Sequence, residues 1–224
     1  MANQNQLKPD PAFIAQQLRR PAGSFVKNIA EKMDQVNEAL FDLTLETMQL
    51  TDNESILEIG FGSGNFFQKI FSKANQLQIT GIDYSREMVE MAKRDNQSLI
   101  DAGRLILEQG SSDHLPFPDH AFDKVFCNMV VYFWEQPRIH LKEIRRVLKP
   151  SGQFYTGMRT KESMLRFPFT QFGFVLYEEE EWKSILEQNG FQWIGAKKKT
   201  DPVIEEDGNS FRMESICLIA KKTN

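Results

Sequence analysis

The chain has 224 residues, enough for one domain of ordinary size with a small appendage. Apolar residues make up 41% and charged residues 26%, which excludes a disordered or fibrous chain. A net charge of -4 argues against a nucleic-acid partner, because phosphate binding usually shows as a basic excess.

The opening MANQNQLKPDPAF has no basic-plus-apolar leader pattern. No apolar run approaches the about 20 residues needed to span a bilayer, so a cytoplasmic protein without a membrane span is expected. Residues 1–23 are polar and interrupted by Pro9, Pro11, Pro21 and Gly23. Phe25, Ile29, Met33, Val36, Leu40 and Leu43 then recur in steps of three and four, which predicts a helix from Ser24 to Leu50. Ser24 is its expected N-cap and Thr51-Asp52-Asn53 its stop.

Short apolar runs then alternate with amphipathic stretches. Strands are predicted at 55–59, 77–82, 104–108, 122–127 and 153–158, and helices at 65–74, 85–96 and 137–148. Ser85 can cap the second of these helices, and Pro137 suits the first turn of the third. Such alternation predicts an α/β fold of parallel strands with right-handed helical crossovers. A helix at 178–189 ends at Asn189-Gly190, a good C-cap. Extended segments 191–199 and 210–221, joined by DPVIEEDGNS, should pair antiparallel because no helix separates them.

Ligands of open parallel sheets bind beyond the carboxyl ends of the strands. The first strand runs into Gly60, Gly62 and Gly64, where the backbone can turn sharply and approach a ligand. The second ends at Asp83, about 20 residues after the glycines, where a carboxylate can accept both hydroxyl hydrogens of a ribose. A dinucleotide fingerprint wants a third glycine where this chain has Asn65, so that reading fails. Glu58 would repel a pyrophosphate, whereas it would attract the ammonium and sulfonium of S-adenosylmethionine.

Together LEIGFGSG (57–64), GIDYS (81–85) followed by Met88, LPFPDHAFD (115–123) and RRVLKPSG (145–152) resemble the class I S-adenosylmethionine-dependent methyltransferases, over roughly residues 55–155. The resemblance implies a seven-stranded Rossmann-like sheet, mostly parallel, with a C-terminal antiparallel hairpin and helices on both faces. It implies S-adenosylmethionine as cofactor. By the same resemblance, Glu58 and the backbone of Gly60, Phe61, Gly62 and Gly64 would hold the methionine part. Asp83 would bind the ribose, and Tyr84 and Met88 would pack on the adenine. Gly110, Ser111 and Ser112 would border the adenine edge, while Asn128 and Met129 would line the pocket beside the methyl group. Relatives often carry an acid where this chain has Ser111; either Ser111 or Asp113, two residues later, would read the adenine edge. Ser151, where glycine is common, is a milder departure.

The remaining features carry weaker expectations. Val131 to Trp134 reads equally as an acceptor pocket or as core. His114 lies near the adenine-edge segment, and His140, on a helix, is expected to be exposed. The three histidines are not spaced as a metal cluster. Cys127 and Cys217 read as buried reduced thiols. Glu178 to Glu181 reads as a solvated helix N-terminus, and Lys197 to Lys199 as protection of a sheet edge. Tyr132, Tyr155, Tyr177 and His140 are the candidates for a general base, and none stands out. Residues 1–50 would form a helical lid, with Arg19, Arg20, Pro21, Gly23 and Phe25 in it by analogy with relatives, and 51–224 the donor-binding domain. Within 159–177, the stretch 163–177 holds four phenylalanines; it reads equally as an acceptor pocket or as a docked loop. The leading expectation is methyl transfer to a small-molecule, apolar or aromatic acceptor. The alternatives are a non-catalytic donor-binding protein and a nicotinamide-dependent oxidoreductase. The acceptor's identity and the oligomeric state are not written in these motifs.

Overall fold

A computed structural model describes residues 10–206 and 209–223. The first nine residues, Asp207-Gly208 and Asn224 lie outside the described residues, and with them Pro9 and part of the DPVIEEDGNS connection.

Asp10 caps α1 (Pro11–Arg19), accepting from the Ala12 amide, with Pro11 at the first helical position. A short 3-10 turn at Gly23–Phe25 leads into α2 (Val26–Met48). Ser24 is therefore part of that turn and not the cap. Helix α2 stops at Gln49, which takes φ 46. Alternation then follows as expected: β1 (Ser55–Ile59), α3 (Phe67–Phe71), β2 (Gln78–Asp83), α4 (Arg86–Asp95), α5 (Gln97–Asp101), β3 (Leu105–Gln109), β4 (Phe122–Asn128), α6 (Pro137–Val147) and β5 (Leu148–Arg159). Helix α3 is shorter than the predicted 65–74. Asn75 is drawn away to the 51–53 loop, its amide donating to Asp52 at 2.8 Å and its carbonyl accepting from Asn53 at 3.0 Å. The chain closes with α7 (Lys161–Leu165), α8 (Glu179–Gln188), β6 (Phe191–Thr200), β7 (Ile204–Glu206), β8 (Asn209–Phe211) and β9 (Glu214–Lys222).

Seven strands form one sheet in the order β3-β2-β1-β4-β5-β9-β6. All pairings up to β5 are parallel, and β9 runs antiparallel between β5 and β6. Strands β7 and β8 make a separate antiparallel ribbon inside the connection between β6 and β9. Successive residues of a strand face opposite sides, and the core divides accordingly. Ile56 and Phe126 join Phe41, Leu45 and Met48 of α2 with Val89 and Leu99 on one face. Leu57 and Val125 join Leu141, Ile144, Trp182 and Leu186 of α6 and α8 on the other. Strand β6 is a sheet edge, and two of its three lysines are tied down as Lys198–Glu179 at 2.9 Å and Lys199–Glu46 at 3.8 Å. Glu178 and Glu181 form a reciprocal capping box at the start of α8. No helix among the described residues is long and apolar enough to cross a membrane.

Order reverses between β1 and β4, since β2 and β3 lie to one side of β1 and the later strands to the other. That is where a parallel sheet opens a crevice beyond its carboxyl ends.

Candidate functional site

A cavity of about 420 Å³ opens at this reversal, in the size range of small-molecule sites. Its floor is the loop after β1. Gly60 takes φ +74 and Gly64 φ +76, a region that residues with a Cβ seldom adopt. A Cβ on Gly60 would sit 2.4 Å from the Val130 Cγ2, and one on Gly64 would sit 2.8 Å from the Ala92 Cβ. The first lets the loop pass beneath the β4 tip, and the second lets α4 pack closely behind it.

Glu58, near the end of β1, is 4% exposed and lines the cavity. Its carboxyl has no hydrogen-bond or ion-pair partner among the described residues. Burial, helped by the nearby Asp83, pushes it up to about 8. Asp83 is 9% exposed; it accepts from the Ser85 amide at 2.8 Å and the Gly62 amide at 2.9 Å. Burial raises it to about 6, although those two hydrogen bonds pull the other way. Two carboxyls thus sit at adjacent strand ends, and neither pairs with a cation among the described residues.

The structure brings Glu58, Gly60, Phe61, Gly62, Asp83, Tyr84, Met88, Gly110, Ser111, Ser112, Asn128 and Met129 to this one cavity. Gly64 is not among its lining residues; its place is the packing against Ala92. Tyr84 stays 51% exposed, with the Arg20 guanidinium 4.9 Å from its ring centre. Met129 takes φ 61, an unusual strain for a side chain without a local hydrogen-bonding group. Asn128 is fixed by Thr44 of α2, whose hydroxyl lies 2.8 Å from the Oδ1.

Several residues missed in the sequence complete the walls. Met33, Asp34, Asn37 and Phe41, one stripe of α2, cover the glycine loop. Both carboxylate oxygens of Asp34 accept from Ser63 Oγ at 2.8 Å, and Asn65 Nδ2 donates to the same group. Burial raises the Asp34 pKa above its ordinary value. Asn65, which breaks the dinucleotide fingerprint, therefore serves to fasten α2 to the loop. Leu18, Arg19 and Pro21 also line the cavity, and Arg19 pairs with Glu135 at 3.6 Å. Gly23 and Phe25 do not; Phe25 packs edge-on to Phe13 and is half exposed. The signal that could have revealed α1 was Asp10-Pro11, an N-cap followed by a first-turn proline.

Other expectations need correction. His140 is half-buried instead of exposed, stacked on Trp134 at 4.6 Å with its Nδ1 2.8 Å from the Ser112 Oγ. His114 is exposed and does not line the cavity. The aromatic cluster splits: Val131, Tyr132 and Trp134 are core, Trp134 also touching the cavity, whereas the partly exposed Phe133 faces it. Tyr132 spends its hydroxyl on the Arg159 backbone, Tyr155 on Met48 and Gln153, and Tyr177 packs on Trp182; none of the three lines the cavity. Nor does any residue of 163–177. Phe167 and Phe169 stack on each other, and Phe169, Phe174 and Leu176 pack against the core. That segment is a docked loop. Both cysteines are buried thiols, and burial pushes Cys217 up to about 12.

Residues 57–156 match the model of a family described as a methyltransferase domain. Among curated relatives, the chain is 31% identical over 127 residues to YdaC, an uncharacterized methyltransferase of Bacillus subtilis, covering 57% of this chain and 68% of that one. It is 27% identical over 202 residues to a demethylmenaquinone methyltransferase of Bacillus licheniformis, covering 80% and 84%. Four such relatives are spanned over 43% to 68% of their length, so much of some of them has no counterpart in the match. Among solved structures, a chain of the complex between the Haloferax volcanii Trm112 methyltransferase activator and a methyltransferase superposes with a TM-score of 0.76 at 19% identity, over 90% of this chain and 97% of that one. The glycine loop, the seven-stranded order and these likenesses agree: the chain belongs to the class I methyltransferases that use S-adenosylmethionine as their cofactor.

Proposed function

We propose that this chain catalyses methyl transfer from S-adenosylmethionine to a small-molecule acceptor with apolar or aromatic parts. The observation that carries the reading is the pair of buried, cation-free carboxyls, Glu58 and Asp83, facing a cavity beside a loop of left-handed glycines. Such a donor set fits a ligand that brings both a positive charge and a ribose. Bound there, the cofactor supplies a methyl group on a sulfonium, already activated for attack.

The chain's own work is then to bind, orient and exclude water. Glu58 and the backbone of Gly60, Phe61 and Gly62 would hold the methionine part. Asp83 would hold the ribose; Tyr84 and Met88 would flank the base, and Gly110 to Ser112 would border it. Asn128 and Met129 would face the methyl group. In this reading Gly64 supports the loop from behind. Residues 1–50 act as a cover, with α2 contributing the wall that separates the donor from water. Phe133 and Ile139 supply apolar surface on which an acceptor would lie.

Calorimetry with the methyl donor, its demethylated product and NAD tests the donor side. Binding of both sulfur nucleosides and not of NAD is expected; binding of neither would overturn the reading. Release of demethylated product across a panel of apolar and aromatic acceptors tests the second half.

A further inference from the structure

His140 belongs to the same wall as Ser111, Ser112 and Asp113. Its ring is held on both sides: the Trp134 indole stacks on it at 4.6 Å and 5°, and Ser112 Oγ lies 2.8 Å from Nδ1. Nε2 has no partner among the described residues. Burial lowers the ring's pKa, with Asp113 opposing, so the imidazole is neutral near pH 7. A neutral imidazole has one donor and one acceptor nitrogen. With the proton on Nδ1 and donated to the Ser112 Oγ, Nε2 is the acceptor left for a ligand.

The sheet order says which part of a ligand that would be. Counted outward from the β1 glycine loop, Asp83 ends β2, and Gly110 to Asp113 follow β3. A nucleoside with its ribose on Asp83 and its charged tail at Glu58 extends its base away from the glycine loop, toward the wall after β3. The base edge then meets Ser111, which carries no charge, and the ring beside it.

We propose that His140 is a specificity-determining residue for the donor, its Nε2, and not the Asp113 carboxylate of the same wall, accepting from the 6-amino group of adenine beside Ser111. Trp134 and Ser112 position the ring for that bond. This inference rests on the reading of the site given above.

The test compares the demethylated donor product with its purine counterpart, in which hydrogen replaces the 6-amino group. Wild type should bind the adenine ligand about tenfold more tightly, the worth of one neutral hydrogen bond. His140→Phe keeps a ring on Trp134 but has no nitrogen. It should lose about tenfold for the adenine ligand and little for the purine one, so that the preference disappears. A merely structural role would weaken both ligands equally and leave their ratio intact, which overturns the proposal. So does lost turnover with both dissociation constants unchanged, since that places the ring on the acceptor side. Ser112→Ala, measured the same way, should shrink the preference in part and covers the case in which the phenylalanine variant does not fold. Asp83→Ala separates the two levels. If it weakens both ligands while His140→Phe keeps the wild-type ratio, only the role of His140 falls. If it changes neither constant, the site reading itself falls.

Discussion

Glu58 makes donor binding a proton-linked event, and the link can be worked out from its surroundings. The carboxyl is buried, has no cation beside it among the described residues and is pushed up to about 8. At pH 7 about ten in eleven free sites are therefore protonated, and a cationic ligand must expel that proton before it gains the carboxylate. The penalty is about 1.4 kcal/mol at pH 7 and about twice that at pH 6. Donor affinity should thus rise about tenfold between pH 6 and 7, a window in which the ligand's α-amino group stays charged. Asp83, raised to about 6, adds a further factor of about two over the same interval. Titration calorimetry in two buffers of different ionisation enthalpy should report release of close to one proton per donor bound at pH 7. Glu58→Gln keeps the side chain's shape and removes its proton, so the variant should bind more weakly, release almost no proton and lose most of the slope. A flat wild-type profile without proton release would refute the reasoning, as would a glutamine variant with the wild-type slope.

The same carboxyls set the ligand-free protein's stability. Both native pKa values lie above the ordinary 4.5 and 3.8, so folding holds extra protons and stability falls as pH rises from about 4 to about 8; melts between pH 5 and 8.5 check this, and saturating donor should flatten the trend. Asp83→Ala should weaken donor binding by about 1–3 kcal/mol through lost charge-assisted hydrogen bonds, and an unchanged dissociation constant would show that the ribose lies elsewhere. Gly60→Ala meets Val130 at 2.4 Å at a left-handed φ, so the melting temperature and donor affinity should fall together. Phe169→Ala, at a partly buried site, should lower stability by about 1–2 kcal/mol with donor affinity unchanged in the folded fraction; an altered acceptor KM at unchanged stability would return 163–177 to the acceptor pocket. Arg159, fully buried against Asp201 and the Val36 carbonyl, should cost about 3–5 kcal/mol when replaced by Met, because the buried Asp201 loses its counter-charge and keeps only the Ser215 hydroxyl; urea titration measures it.

The donor side was legible in the sequence because it is local. A glycine loop, an acid about 20 residues on and a capping serine are read from spacing alone, and β1, β2 and α4 fall within a residue of expectation. The walls were not legible, because they depend on where distant elements land. Asp34 looks like any polar position on an amphipathic helix until α2 lies across Ser63 and Asn65. His140 looks exposed until the chain after β3 crosses α6, where the Leu115 amide donates to Glu143 and Arg146 donates to the Leu115 and Phe117 carbonyls. The phenylalanines of 163–177 left two readings open for the opposite reason: a run of aromatics looks the same whether it faces a ligand or the protein's own core.

Helix α2 is anchored unevenly. Its second half, with Phe41, Leu45 and Met48, is built into the core, while Met33, Asp34 and Asn37 overhang the cavity. A straight helix from Phe41 back to Val26 is a lever arm of about 22 Å. Tilting it by about 10° about its anchored half would swing the far end by about 4 Å and move Asp34 by only about 2 Å, less than the thickness of a bound ligand. A rotation of that size would pull Val26 and Ala30 off Met88, which lines the cavity, well before it loosened the clasp on Ser63.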